Sequence, residues 1–199
     1  MIHIYGTSHV SQESLDVIDR ALEEHDPDVV ALELDILRLR ALETGEKRSG
    51  GPLMLRLLKR FQDSIGKKTG LMPGEEMLYA YRKAVSEGRE VALIDQDIQT
   101  TVRRLRSIRR KEKVKAVASL VAGFFLRGKF DISKIPREEE VELLVDELRD
   151  EFPGFHQVLM EERNGAMIAA LEHVREDTEG DIVAFVGAAH KKPLQEALR

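Results

Sequence analysis

Short runs that are apolar almost throughout recur at residues 2–5, 29–34, 91–94 and 182–186, and each stops at a glycine or an acid. They read as buried strands of a parallel sheet, in which both faces are covered. Between them the rhythm lengthens. Residues 11–24 carry Leu15, Val17, Ile18 and Leu22 at helical spacing, with Ser11 or Ser14 as the cap, and Asp26-Pro27-Asp28 ends the helix. Strand-helix-strand is thus complete by residue 35, the opening of a parallel α/β unit with a right-handed crossover. Gly74-Glu75-Glu76-Met77 opens a helix to about Val85, its first-turn acids favoured by the helix dipole. A basic helix is expected from Thr100, an apolar one over 116–126, an acidic one from Pro136 to about Glu151, and a long one over 155–174.

The expectation is a single α/β domain over 1–199, a central, mostly parallel sheet flanked by helices, with 99–180 mainly helical. Residues 41–74 are punctuated by glycine and proline and read as a helical insertion or lid containing a basic amphipathic helix over 53–61.

Composition narrows the function classes. The chain has no cysteine, which excludes disulfides, thiol nucleophiles and Cys-ligated zinc. A formal net charge of -5 gives no overall nucleic-acid footprint, and the basic run 103–115 lacks interleaved aromatics, so no nucleic-acid partner is expected. The start is already a strand, without the basic and apolar regions of a signal peptide. The apolar stretch 116–126 is far shorter than the roughly 20 residues of a membrane-spanning helix. A cytoplasmic protein is expected, with membrane association only through a segment absent from this chain. The 116–126 helix makes a homodimer an expectation.

The chemistry concentrates at strand ends. Gly6-Thr7-Ser8-His9 follows the first strand and Gly187-Ala188-Ala189-His190 the last. Ligand crevices of open α/β sheets lie outside the carboxyl ends of the strands, so these histidines would converge if both strands share the sheet. Converging imidazoles suit a metal or a proton-transfer site, whereas either motif alone is weak and fits a simple turn. Glu33 interrupts an apolar run and, if buried, needs a partner; Asp35 follows two residues later, on the same face by the strand period. Asp95 ends the third strand. Arg103, just beyond it, is the better placed site arginine of the basic run.

Taken in order, Gly-Thr-Ser-His-Val-Ser (6–11), Leu-Glu-Leu-Asp-x-x-Arg (32–38), Gly-Glu-Glu-Met (74–77), Leu-Ile-Asp-x-Asp-Ile-x-x-Thr-x-x-Arg (93–104), Glu-Glu-Arg-Asn (161–164) and Gly-Ala-x-His (187–190) resemble the TraB/PrgY family of pheromone-shutdown proteins. That family is related to the Tiki proteases and, more distantly, to the erythromycin-esterase and ChaN-like proteins. The resemblance covers residues 2 to about 193 and implies a metal-dependent, peptidase-like hydrolase acting on a peptide or small-molecule substrate. Manganese or cobalt is the implied ion, with zinc a further option. Carried over by motif, His9, His190 and Glu33 would hold the metal. Glu33 or Glu76 would act as general base, and Arg163 would stabilise the oxyanion. Arg38, Asp95, Arg103 (or Arg104, the motif admitting either) and Asn164 would line the substrate. Two rivals stand beside this: a metal-free, esterase-like hydrolase, and a non-catalytic protein that binds or sequesters a peptide.

Overall fold

The strand-like runs pair into one sheet. In the computed structural model, which describes residues 1–7, 12–45, 74–125 and 138–199, β1 (Ile2–Thr7), β2 (Val29–Leu32), β3 (Glu90–Leu93) and β4 (Ile182–Gly187) lie in the order β1-β4-β2-β3. Every neighbouring pair is parallel. The register runs from Ile2↔Ile182 to Thr7↔Gly187, so the two strands that lead into Gly-x-x-His lie side by side. The fold is α/β with helices on both faces of an all-parallel sheet.

The described helices are α1 (Gln12–His25), α2 (Ile36–Thr44), α3 (Glu75–Ser86), α4 (Ile98–Ser107), α5 (Arg110–Phe125), α6 (Glu138–Glu151), α7 (Pro153–His156), α8 (Glu162–Asp177) and α9 (Ala188–Ala197). A π-helical turn, Gln157–Glu161, joins α7 to α8. The strand period of two divides the core cleanly. Val30, Leu32, Val183 and Phe185 point to one side and pack with Ile18 and Leu22 of α1 and Met77, Ala80 and Ala84 of α3. Val29, Ala31, Ile182, Ala184 and Val186 point to the other and meet Met167, Leu171 and Leu194 of α8 and α9. Burying a Leu, Ile, Phe or Met side chain this fully stabilises by about 1.5–3 kcal/mol. Leu105, Ile108, Phe155 and Val158 form a third cluster beneath the helical segment.

Several boundaries differ from the sequence expectation, each for a local reason. β2 stops at Leu32, and Asp35, instead of sharing a strand face with Glu33, caps α2 by accepting the N–H groups of Leu37 and Arg38. β1 runs through Gly6 to Thr7, because the parallel ladder with β4 continues there. The basic run divides into α4 and α5 where Ile108 turns extended to reach the third cluster. The single helix expected over 155–174 is interrupted by the π turn. The expected helix over 53–61 and the motif residues 8–11 lie outside the described residues. No helix among the described residues is long and apolar enough to cross a membrane.

Candidate functional site

At the C-terminal ends of β2, β3 and β4 the backbone pairing continues briefly beyond the strands. Glu33 N–H donates to the Phe185 carbonyl at 3.1 Å, and Asp95 N–H to the Leu34 carbonyl at 3.2 Å. These bonds hold two carboxylates at the sheet edge in the interior, Glu33 2% exposed and the Asp95 side chain 3%. Carboxylates so deeply buried stay ionised only with charged partners and hydrogen bonds.

The principal partner is Arg163, on the first turn of α8. Its Nε donates to Asp95 Oδ1 and one terminal nitrogen to Asp95 Oδ2, each at 2.9 Å, a bidentate clamp. That same terminal nitrogen also bonds Glu33 Oε1. The other faces His190 Nε2 at 3.2 Å and, more distantly, the Leu159 carbonyl at 3.5 Å. Burial disfavours the guanidinium charge, but the charges and hydrogen bonds of Glu33 and Asp95 outweigh it and raise the Arg163 pKa further above its already high value. Arg38, from α2, bonds the remaining side of Asp95 at 2.7 Å and lies 3.4 Å from the Glu33 carbonyl. The Gln96 N–H completes Asp95 at 2.8 Å. Two carboxylates and two guanidinium groups therefore balance in charge.

Glu33 is held from the opposite side by β4, its Oε2 accepting the Gly187 N–H at 2.5 Å. Gly187 caps α9, whose N-terminal dipole favours an anion there. One turn on, His190 is 4% exposed, with its Nε2 3.6 Å from Glu33 Oε1. Its Nδ1 lies 2.6 Å from Asn164 Oδ1. An amide oxygen only accepts, so that contact assigns the proton to Nδ1 and leaves a lone pair on Nε2, facing Arg163.

Glu33, Arg38, Asp95, Arg163, Asn164 and His190 are thus gathered in one network. Glu76 lies on the first turn of α3, 2% exposed, and accepts the Gly74 N–H at 3.1 Å; it is not among the groups Arg163 touches. Arg103 is exposed and reaches back to Thr100 at 3.2 Å. The neighbouring Arg104 instead forms a forked pair with Glu162, fastening α4 to the turn that carries Arg163. His9 lies outside the described residues. Sequence reasoning missed the Gly187 N–H, a backbone group with no side-chain signature. It missed the cap at Asp35 too, although an acid directly before a helix is a usable signal.

A divalent ion finds an incomplete donor set among the described residues. No group of three or more acidic or histidine side chains is placed there to hold one. Glu33 already binds Arg163 and Gly187, so an ion would have to take it from the guanidinium. Asp35 Oδ2 is buried with no hydrogen-bond partner among the described residues, one carboxylate oxygen suited to a cation, but it is a single donor.

The comparisons with known proteins agree with the motifs. The family model described as TraB/PrgY/gumN matches residues 1–196. An uncharacterised protein of Methanocaldococcus jannaschii is 28% identical over 212 residues, covering 100% of this chain and 53% of its own length. TraB domain-containing proteins of Mus musculus and Homo sapiens are 26% and 25% identical, each over 82% of this chain and 50% of theirs. The chain spans about half the length of these curated relatives. With the family model matched over nearly every residue, the chain belongs to the TraB/PrgY/gumN family.

Proposed function

We propose that the chain is a hydrolase of peptide-like substrates whose reacting centre is His190, at the sheet's C-terminal edge. The observation that carries this reading is the contact of His190 Nδ1 with Asn164 Oδ1 at 2.6 Å. Asn164 holds the Nδ1 proton, and the basic Nε2 faces Glu33 and Arg163 inside a buried, charge-balanced cluster. An attacking water would replace the Arg163 N–H at Nε2 and pass its proton to the imidazole. Glu33, 3.6 Å away, would stabilise the imidazolium. Because Glu33, Asp95, Arg38 and Arg163 already balance, the new imidazolium would leave the site one positive charge in excess. That excess opposes the oxyanion formed on the substrate, and the Arg163 N–H freed from His190 is the nearest donor to it.

A second reading keeps a divalent ion, manganese, cobalt or zinc, held by His9, His190 and Glu33. It is favoured by the Gly-x-x-His pairing of adjacent strands and by the unpartnered oxygen of Asp35. A third is sequestration of a peptide without cleavage.

One experiment separates the three: turnover of a peptide and ester panel by wild type and His190→Ala, with metal content measured and chelator added. Chelator-resistant turnover that falls about 10²–10⁴-fold in a folded His190→Ala protein is the expected result. Turnover abolished by chelator and restored by manganese or cobalt would replace the first reading with the second. Tight peptide binding with no turnover under any condition would leave sequestration.

A further inference from the structure

Among the described residues β1 pairs with β4 alone, so its other side is a sheet edge. Parity identifies the groups on that edge. The Met1 carbonyl accepts the Ile182 N–H at 2.8 Å, and in a parallel ladder the N–H and C=O of one residue point the same way. Residues 1, 3 and 5 thus face β4, while Ile2, Ile4 and Gly6 face outward. The one outward group with a described partner confirms this: the Ile4 carbonyl accepts the Gln195 side-chain amide at 3.3 Å, a bond of the kind a neighbouring strand would make.

Edge strands are normally blunted by proline, a bulge, an inward charge or a covering element. β1, Ile-His-Ile-Tyr-Gly-Thr, carries no proline and no acid or lysine, and its pairing with β4 runs without a bulge. It lies instead along an open groove of about 870 Å³ walled by α1 and α9. The polar residues of that groove are His3, Tyr5, Arg175, Lys191, Gln195 and Arg199, and no acid is among its described lining residues. Asp181, which holds the Met1 amino group at 2.9 Å and lies 3.7 Å from His3, is the acid at its margin. A second copy of the chain would set these cations against one another. An extended chain carrying carboxylates would not.

We infer that the outer edge of β1 is a docking track for an extended acidic peptide, added to the sheet as a fifth strand beside Ile2, Ile4 and Gly6. Main-chain hydrogen bonds would hold it, with the Gln195 amide displaced from Ile4, and its acidic side chains would meet Arg175 and Lys191. The track also points somewhere. Gly6, at its far end, lies so close to α9 that a Cβ there would sit 3.3 Å from Ala188 Cα and from the Lys191 side chain, beside the turn that carries His190. Resting on the hydrolase reading above, this assigns the substrate class: an extended peptide with acidic residues, fed along β1 to the end of the β1–β4 pair.

The test uses His190→Ala protein and a fluorescein-labelled hexapeptide of alternating glutamate and valine, read by anisotropy. Two further versions carry backbone N-methyl groups, one at odd and one at even positions. The expected result is that one methylated phase binds like the parent and the other at least ~10-fold more weakly, since a docked strand turns alternate amides to its partner. Arg175→Glu with Lys191→Glu should weaken the parent ~10-fold or more. Equal binding of both methylated phases overturns the track, as does no binding of the parent at millimolar concentration. A dimer in sedimentation that excludes the peptide overturns it too, because a second copy would then occupy the edge. Binding that meets these expectations, with no cleavage by wild type, overturns the hydrolase reading and leaves the track standing.

Discussion

Arg163 offers five N–H groups, directed at four residues: two at Asp95 and one each at Glu33, His190 and the Leu159 carbonyl. The residue is therefore a positioning group first. Removing it leaves Glu33 and Asp95 buried, with Arg38 as their remaining close guanidinium. Arg163→Ala should lose about 3–5 kcal/mol in urea unfolding. Arg163→Lys should recover little of that, because an ammonium lacks the planar fork that spans both carboxylates. Asn164→Ala tests the imidazole instead. Nitrogen NMR of His190 should report the Nδ1–H tautomer in wild type and a mixture in the variant, with melting much less affected than in Arg163→Ala. At this scale Glu33 was legible from the sequence, since an acid inside an apolar run demands a partner. Arg163 and Asn164 were legible only through a motif. Nothing in a polar stretch on a helix says that it turns inward, and its acceptors lie far away along the chain.

Between elements, α1 and α3 are tied by Asp19, which accepts from Lys83 at 2.5 Å and Tyr79 at 2.7 Å. Desolvation opposes the Asp19 charge, but these bonds outweigh it and hold its pKa below the usual value. The bond to Asp19 raises Lys83, and the same carboxylate raises Tyr79. The signs set two windows. A depressed carboxylate contributes stability that disappears as pH falls through its folded pKa, below about 4; a raised Lys or Tyr contributes stability that disappears as pH climbs past about 10. Lys83→Met should cost about 0.5–1 kcal/mol at neutral pH, the range for partly exposed pairs, and should flatten the alkaline limb of the stability profile. Gly74 is a separate case. It caps α3 at φ 94°, where a Cβ would also sit 3.2 Å from Leu42, so Gly74→Ala should lower stability by at least ~1–2 kcal/mol. Although α2 and α9 were not anticipated, the strands and most of the helices followed from apolar periodicity. The π turn did not, because one extra residue in a long helix barely changes a periodic pattern, although it rotates everything after it by roughly 100°. Arg163 and Asn164 lie on the first turn of α8 just beyond it, and such turns often accompany functional sites.

For the whole molecule, a mostly parallel sheet with apolar residues on both faces was readable from near-continuous apolar strands, and every described pair proves parallel. The order β1-β4-β2-β3 was not, because it depends on which distant strands meet and no local pattern records that. Every residue of β4 is buried, and the strand is paired on both sides. Native-state hydrogen exchange should therefore find its amides among the slowest, opening only with global unfolding, while the outward amides of β1 at Ile2 and Gly6 exchange far faster.

The strand at the centre of this protection is also the last of the described strands in chain order. Until residues 182–187 leave the ribosome, β1 has no partner among the described strands, and the slot between β1 and β2 stands open with an unpaired edge on each side. A nascent chain stopped before residue 182 exposes two apolar edges and lacks both Gly187 and His190. It is thus a client for chaperones and an aggregation hazard. Joining of β1 to β2 through β4 and assembly of the site become a single event, so a chain stopped before residue 182 yields no partly competent product.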